Sequence, residues 1–156
     1  MTIVPANESH LPGMIALLKQ VGQVHREIRP DIFRADAQKY DETALKKLLQ
    51  DPSRPIFIAE KEGRVLGYCF CIHKNYLDDP VLADRKELYI DDLCVDEACR
   101  GNGIATRLYR HVTEYAKMGG CQFITLNVWA GNDNAQKFYE HMGMTPRNIH
   151  MESKLC

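Results

Sequence analysis

At 156 residues the chain has room for one domain with one apolar core, and too little for two of ordinary size. With 45% hydrophobic and 26% charged residues, it is too apolar for a disordered chain. Its 20 Lys and Arg against 21 Asp and Glu leave a formal charge of −1, which argues against a general nucleic-acid binder, because that needs a basic face.

No apolar run approaches the ~20 residues of a membrane-spanning helix. The start, Met1-Thr2-Ile3-Val4-Pro5, has neither the basic flank nor the apolar stretch of a signal peptide, so a cytoplasmic chain with no membrane partner is expected. The six cysteines (Cys69, Cys71, Cys94, Cys99, Cys121, Cys156) include no Cys-x-x-Cys pair, and no metal site is expected. Cys69 and Cys71 alternate with Phe70 inside an apolar run and read as small core residues.

Thr2 to Ala6 is β-prone. Leu11, Ile15, Leu18 and Val21 recur at helical spacing, which predicts an amphipathic helix over 8–27, broken by Arg29-Pro30-Asp31. Asp41 can cap a second helix carrying Ala44, Leu45, Leu48 and Leu49 on its inner face, ended by Asp51-Pro52. Ile56 to Ala59 and Val65 to Ile72 read as strands joined across a Glu62-Gly63 hairpin turn. A polar loop, Asn75 to Lys86, leads to a third long strand, Leu88 to Val95. After Arg100-Gly101-Asn102-Gly103, the face Ile104, Leu108, Val112, Tyr115 and Ala116 predicts a helix stopped by Gly119-Gly120. Phe123 to Trp129 reads as a strand. Asn132 can cap a short helix with Ala135, Phe138 and Met142 inward, closed by Gly143. Met144 to Leu155 predicts one or two further strands. The whole reads as one mixed α/β domain over 1–156, without linker or repeat.

The segment from Leu93 to Leu108 is the most informative. A strand enters a glycine loop and a helix leaves it, so unpaired N–H groups and the helix dipole favour a phosphate. The P-loop string Gly-x-x-x-x-Gly-Lys-Ser/Thr does not occur. The dinucleotide string Gly-x-Gly-x-x-Gly fails at Thr106, and antiparallel strands precede this loop where that fold has a parallel sheet. An acyl-coenzyme A pyrophosphate and a plain strand-to-helix turn stay open on the loop alone.

Two blocks go further. Arg100-x-x-Gly103-x-Ala105 matches an Arg/Gln-x-x-Gly-x-Gly/Ala signature, and Asn132-x-x-Ala135-x-x-Phe138-Tyr139-x-x-x-Gly143-Met144 matches an Asn-x-x-Ala-x-x-Phe/Leu-Tyr-x-x-x-Gly-Phe segment. With its element order, the chain resembles the GNAT (GCN-related) N-acetyltransferase superfamily. The resemblance implies an α/β (α+β) fold: a mostly antiparallel central sheet with a splayed strand pair, at 88–95 and 122–129, and flanking helices. It implies an acetyl-CoA-dependent N-acetyltransferase acting on a primary amine. Backbone N–H groups of Arg100, Gly101, Asn102, Gly103, Ile104 and Ala105 would cradle the pyrophosphate. The backbone at Leu93, Cys94 and Val95 would pair with the pantetheine arm as with an added strand. Asn132 would hydrogen-bond near that arm, with Phe138 packed beside it. Cys99, where an aromatic is common, and Met144, in place of Phe, depart from the pattern without removing a backbone donor.

Transfer to an amine needs the neutral amine, and for an alkyl amine of pKa near 10.4 that costs about 4.6 kcal/mol at pH 7. A carboxylate, directly or through water, can serve as base. Strand alternation predicts that Asp91 and Asp92 face opposite ways, so at most one reaches the cleft directly; the resemblance favours Asp91. It also places Tyr139 as the general acid for the leaving thiolate. The backbone N–H of Val95 suits the oxyanion. His25, His73, His111, His141 and His150 read as surface or packing residues.

From Asp78 to Glu97 eight acids stand against Arg85 and Lys86, a local charge of 2 − 8 = −6. This favours a cationic acceptor if the acids border the cleft, and is otherwise a solvated acidic loop. The helix pair and the Arg29–Tyr40 loop are expected to form the acceptor wall. Alternating Ile149, Met151 and Leu155 predict an apolar edge strand covered by a second copy, hence a homodimer. A non-catalytic acyl-CoA sensor is the rival reading, though it would need neither Tyr139 nor the carboxylates.

Overall fold

The computed structural model describes residues 1–156. Strand β1 (Thr2–Pro5) precedes helices α1 (Leu11–Ile28) and α2 (Glu42–Leu49). Next come β2 (Ile56–Lys61), β3 (Arg64–Tyr76) and β4 (Arg85–Val95), then α3 (Ile104–Met118), β5 (Phe123–Leu126) and α4 (Asp133–His141). The five strands form one sheet in the order β1-β2-β3-β4-β5, antiparallel except for β4 with β5. A parallel neighbour needs a crossover, and α3 supplies it. Local chemistry sets the ends of several elements. Glu62 and Gly63 take φ of 53° and 76°, which suits a two-residue hairpin between twisted strands. Asp41 accepts from the Ala44 N–H and caps α2.

Period-two alternation divides the core. Ile56, Ile58, Tyr68 and Phe70 face α1 and α2, meeting Leu11, Met14, Leu17, Leu18 and Leu45. Phe57, Ala59, Cys69 and Cys71 face α3, meeting Leu108, Val112 and Ala116. The two cysteines are core residues, as expected, with their sulfurs 3.7 Å apart. Leu108 is fully buried, so Leu108→Ala should cost about 2–5 kcal/mol, read as a lower denaturation midpoint with unchanged slope.

Three local expectations are corrected. The strand expected over 123–129 stops at Leu126, and Asn127–Trp129 leaves the sheet. Met144–Cys156 forms no strand, because no neighbour offers it a hydrogen-bonded ladder. Ile149, Met151 and Leu155 are 80%, 81% and 91% exposed, and side chains pin this segment instead. Arg147 pairs with the buried Glu87 at 2.7 Å, and Glu152 pairs with Arg29. Burial alone would raise the Glu87 carboxyl, but Arg147 and Arg85 outweigh it and hold it below the usual carboxylate range. Third, β4 does not alternate regularly at its acids. Phe70 pairs with Asp92 and Cys71 with Ile90, leaving Asp91 as an extra, bulged residue.

Candidate active site

The site begins where β4 and β5 part. Their pairing runs from Glu87–Phe123 to Ile90–Leu126 and ends there, while β4 stays on β3 as far as Val95. Its other edge, from Asp91 to Val95, is thereby left open. The Asp96 N–H donates to Leu66 of β3, so by alternation the Val95 N–H points away from β3, toward the open edge. A cleft of about 1100 Å³ lies along this edge. Because the bulge breaks alternation, both Asp91 and Asp92 line it, with Leu93, Asn132 and Tyr139.

The two acids have different surroundings. Asp91 accepts from Lys39 Nζ at 2.9 Å and from the Tyr40 hydroxyl at 2.6 Å. Asp92 accepts from the hydroxyl of the fully buried Tyr68 at 2.6 Å. Desolvation pushes its carboxyl up to about 6, against the Tyr68 bond and the Lys39 charge, which pull it down. Tyr139 on α4 packs against the Phe138 and Tyr109 rings at 5.1 and 6.2 Å. Its hydroxyl is engaged by no group of the fold and is left to the cleft. Burial first, then the Cys69 thiol and the Asp92 carboxyl, push this phenol well above its ordinary value, so it keeps its proton at any ordinary pH.

The glycine loop follows β4 beyond Val95, and its Asn102 and Ile104 line a second pocket. Gly101 and Gly103 take φ of 81° and 71°, and Gly103 caps α3 without a side-chain bond. The first helical bond in α3 is from the Arg107 N–H to Gly103, so the N–H groups of residues 101–106 have no acceptor in the fold. An added Cβ at Gly101 or Gly103 would meet no protein atom within 4 Å. Open space faced by orphaned donors fits a pyrophosphate.

Other expected residues serve through the backbone or not at all. Cys94 is buried with its thiol toward Leu17 and by the same alternation spends its main chain on Tyr68 of β3, so it offers the open edge nothing, whereas Ile104 is core and offers only its N–H. Arg100 is exposed at the mouth of the loop. Asn132 lines the cleft, but its side-chain oxygen already caps α4 by accepting from the Ala135 N–H at 3.3 Å. Phe138 packs on Tyr109 rather than into the cleft. The acidic run disperses: Asp79 caps its own loop, Glu87 and Asp96 pair with arginines, and only Asp91 and Asp92 reach the cleft.

The Arg29–Tyr40 loop, expected as the acceptor wall, lines the cleft from Ile32 to Lys39, but no motif singles out Lys39 or its neighbour Tyr40 within it. His25, expected as a packing residue, stacks on Phe33, which meets Trp129 edge-on, and all three line the cleft. Burial and the Lys39 charge lower its pKa.

Comparison with known proteins bears on this arrangement. The Acetyltransferase (GNAT) family matches residues 22–144, most of the chain. The chain belongs to the GNAT family. Among GNAT relatives, an uncharacterised N-acetyltransferase of Methanocaldococcus jannaschii is 28% identical over 76% of this chain and 51% of its own length. Another, YdgE of Bacillus subtilis, is 36% identical over 64% of this chain and 59% of its own. The chain thus spans little more than half of these relatives. A mutant of the BH1408 protein of Bacillus halodurans superposes with a TM-score of 0.95 at 29% identity, covering 100% of both chains. An aminoglycoside N-acetyltransferase solved with CoA shares the fold, with a TM-score of 0.70 at 18% identity over 99% of this chain and 100% of its own. No helix here is long and apolar enough to cross a membrane.

Proposed function

We propose that residues 1–156 form one acetyl-CoA-dependent N-acetyltransferase unit acting on a primary amine of a small cationic molecule or of a protein. The carrying observation is that the open edge of β4 runs from the cleft that holds Asp92 and Tyr139 toward the glycine loop, whose N–H groups after Gly101 are orphaned. Acetyl-CoA, when bound, supplies an activated thioester. The loop N–H groups hold its pyrophosphate, and the β4 edge at Leu93 and Val95 orients its arm. The Val95 N–H stabilises developing oxyanion charge. Asp92 takes the proton of the incoming ammonium, since Asp91 is engaged by Lys39 and Tyr40. Tyr139 gives its proton to the departing sulfur.

Support for a cationic acceptor comes from Asp36, Asp91, Asp92 and Glu152 along the cleft, set against Arg29, Arg34 and Lys39. Curated relatives include proteins named for glucosamine 6-phosphate and for an alanine of a ribosomal protein, all amine acceptors. Thiol release from acetyl-CoA over a panel of amines, with products read by mass spectrometry, tests the reading. Turnover of at least one amine is expected; binding of acetyl-CoA with no turnover across the panel would favour a sensor.

Gly103→Ala should weaken CoA binding about tenfold or more, because the new methyl enters the space where the phosphates sit. Gly120 has φ of 77° at the far end of α3, so Gly120→Ala carries the same strain of about 1–2 kcal/mol and should leave the affinity intact. Equal CoA affinities by calorimetry in the two folded variants would contradict the pyrophosphate site. A homodimer is the companion proposal, supported by the exposed Ile149, Met151 and Leu155 and, separately, by the unpaired outer edge of β5. A monomer mass by light scattering at micromolar concentration would contradict it.

A further inference from the structure

We propose that Lys39 is a self-acetylation site, its amine standing where the acyl end of the donor is delivered. The inference rests on the acetyltransferase reading above. Lys39 Nζ donates both to the Asp91 carboxylate, at 2.9 Å, and to the Asp91 backbone carbonyl, at 3.2 Å. Asp91 is the residue directly after Ile90, the last β4 residue paired with β5, and it is the bulged one. The ammonium therefore sits on the open edge of β4, at the apex where the strands part.

Its neighbour holds it there. Tyr40 bonds Asp91 at 2.6 Å and packs its ring, tilted, 5.6 Å from the buried Phe70, so Lys39 is tethered to the cleft floor. Residues 29–41 form turns without helix or strand, and there the lysine is positioned by that anchor, by its own bonds to Asp91 and by the Gln38 amide donating to the Tyr40 carbonyl. Lys39 lines the same cleft as Asp92 and Tyr139. A nucleophile tethered beside its electrophile has an effective concentration far above that of any surface lysine.

The step balances with acetyl-CoA as the only co-reactant. Asp91, already hydrogen-bonded to the Lys39 ammonium, takes a proton from it, and the freed lone pair attacks the thioester carbonyl carbon. The N–C bond forms, the C–S bond breaks, and its electron pair leaves on sulfur, which takes the Tyr139 proton. Of the two protons nitrogen gives up, one passes through Asp91 to solvent and the other restores Tyr139. The products are acetyl-lysine and the free thiol. Acetylation removes the Lys39 charge and frees the Asp91 carboxylate to meet an incoming ammonium.

The test incubates the purified chain with acetyl-CoA and no added amine, and follows intact mass and peptide maps. Lys46 and Lys117 are the comparators, because each is exposed and ion-paired but lies outside the cleft. Lys39 should be acetylated on the order of a hundredfold faster than either, at a rate per molecule unchanged by dilution. Lys39→Arg, which keeps the charge, should lose the mass increment. If Lys39 is modified no faster than Lys117 while the same protein acetylates an amine from the panel, this inference falls and the enzyme reading stands. A rate per molecule that drops on dilution also overturns it, since the modification would then pass between copies. If acetyl-CoA binds and neither lysine nor added amine is acetylated, the enzyme reading falls and takes this one with it.

Discussion

Tyr139→Phe should lower kcat by about 10²–10⁴-fold, the usual worth of a positioned general acid, with kcat/KM falling in step. The substitution removes one oxygen and keeps the ring, whose contacts with Phe138 and Tyr109 are edge and tilted packing that a phenylalanine reproduces. The lost hydroxyl bonds nothing in the fold, so folding and CoA affinity should barely change. The parallel fall in both constants follows because the interaction strengthens only as charge develops on sulfur. Two effects favour the low end of the range. A thiolate, with a conjugate pKa near 8.5, leaves partly unaided. Burial also raises the Tyr139 phenol, which makes it a weaker acid than an exposed tyrosine. Turnover within about threefold of wild type, with chemistry limiting, would make Tyr139 a packing residue and hand the proton transfer to water.

Asp92→Asn should separate stability from activity. As the base, Asp92 must be ionised, so the variant should lose about 10²-fold or more in kcat/KM. The acceptor amine's own protonation affects both proteins alike, so the ratio of wild type to variant isolates the aspartate. That ratio should climb with pH and level off above about 6, where the carboxyl has ionised. Stability runs the other way. A carboxyl whose pKa is raised by burial favours the folded state while protonated, and that contribution is lost as pH rises through about 6. The substituted amide cannot ionise and still offers an oxygen to the Tyr68 hydroxyl. The variant should therefore be more stable than wild type by on the order of 2–3 kcal/mol near pH 8, with no gain near pH 3. A ratio flat from about pH 5 to 8 would exclude Asp92 as the base and return the role to Asp91 or to water.

Local chemistry made most of the fold legible. The hairpin at Glu62-Gly63, the Asp41 cap and the inner faces of α1 and α3 all follow from residues within a few positions of one another. The failures are non-local. Phe123 to Trp129 has strand character throughout, yet only four residues find a partner, because β4 bends away at the bulge. Ile149, Met151 and Leu155 alternate as a strand should, but alternation makes a strand only where a ladder and a face exist to receive it. The glycine loop and Tyr139 were readable because motifs carry them. The resemblance favours Asp91 over Asp92, whereas the bulge that turns both into the cleft depends on β3 pairing and the Lys39 and Tyr40 grip on Asp91 spans 52 and 51 residues of sequence. The Asp78–Glu97 run left two readings open for a related reason: counter-ions such as Arg64 and Arg147 lie far away in sequence.

The central claim is that the donor lies along the open edge of β4 with its phosphates on the glycine loop, and backbone amide shifts on adding CoA test it most directly. The largest shifts should fall on residues 101–106 and on Leu93 and Val95, with the Tyr139 region perturbed as well. Shifts confined instead to the second pocket of about 740 Å³, which Met1, Lys61, Arg64 and Arg107 share with Cys99, Asn102 and Ile104, with Leu93, Val95 and the Tyr139 region silent, would contradict the account.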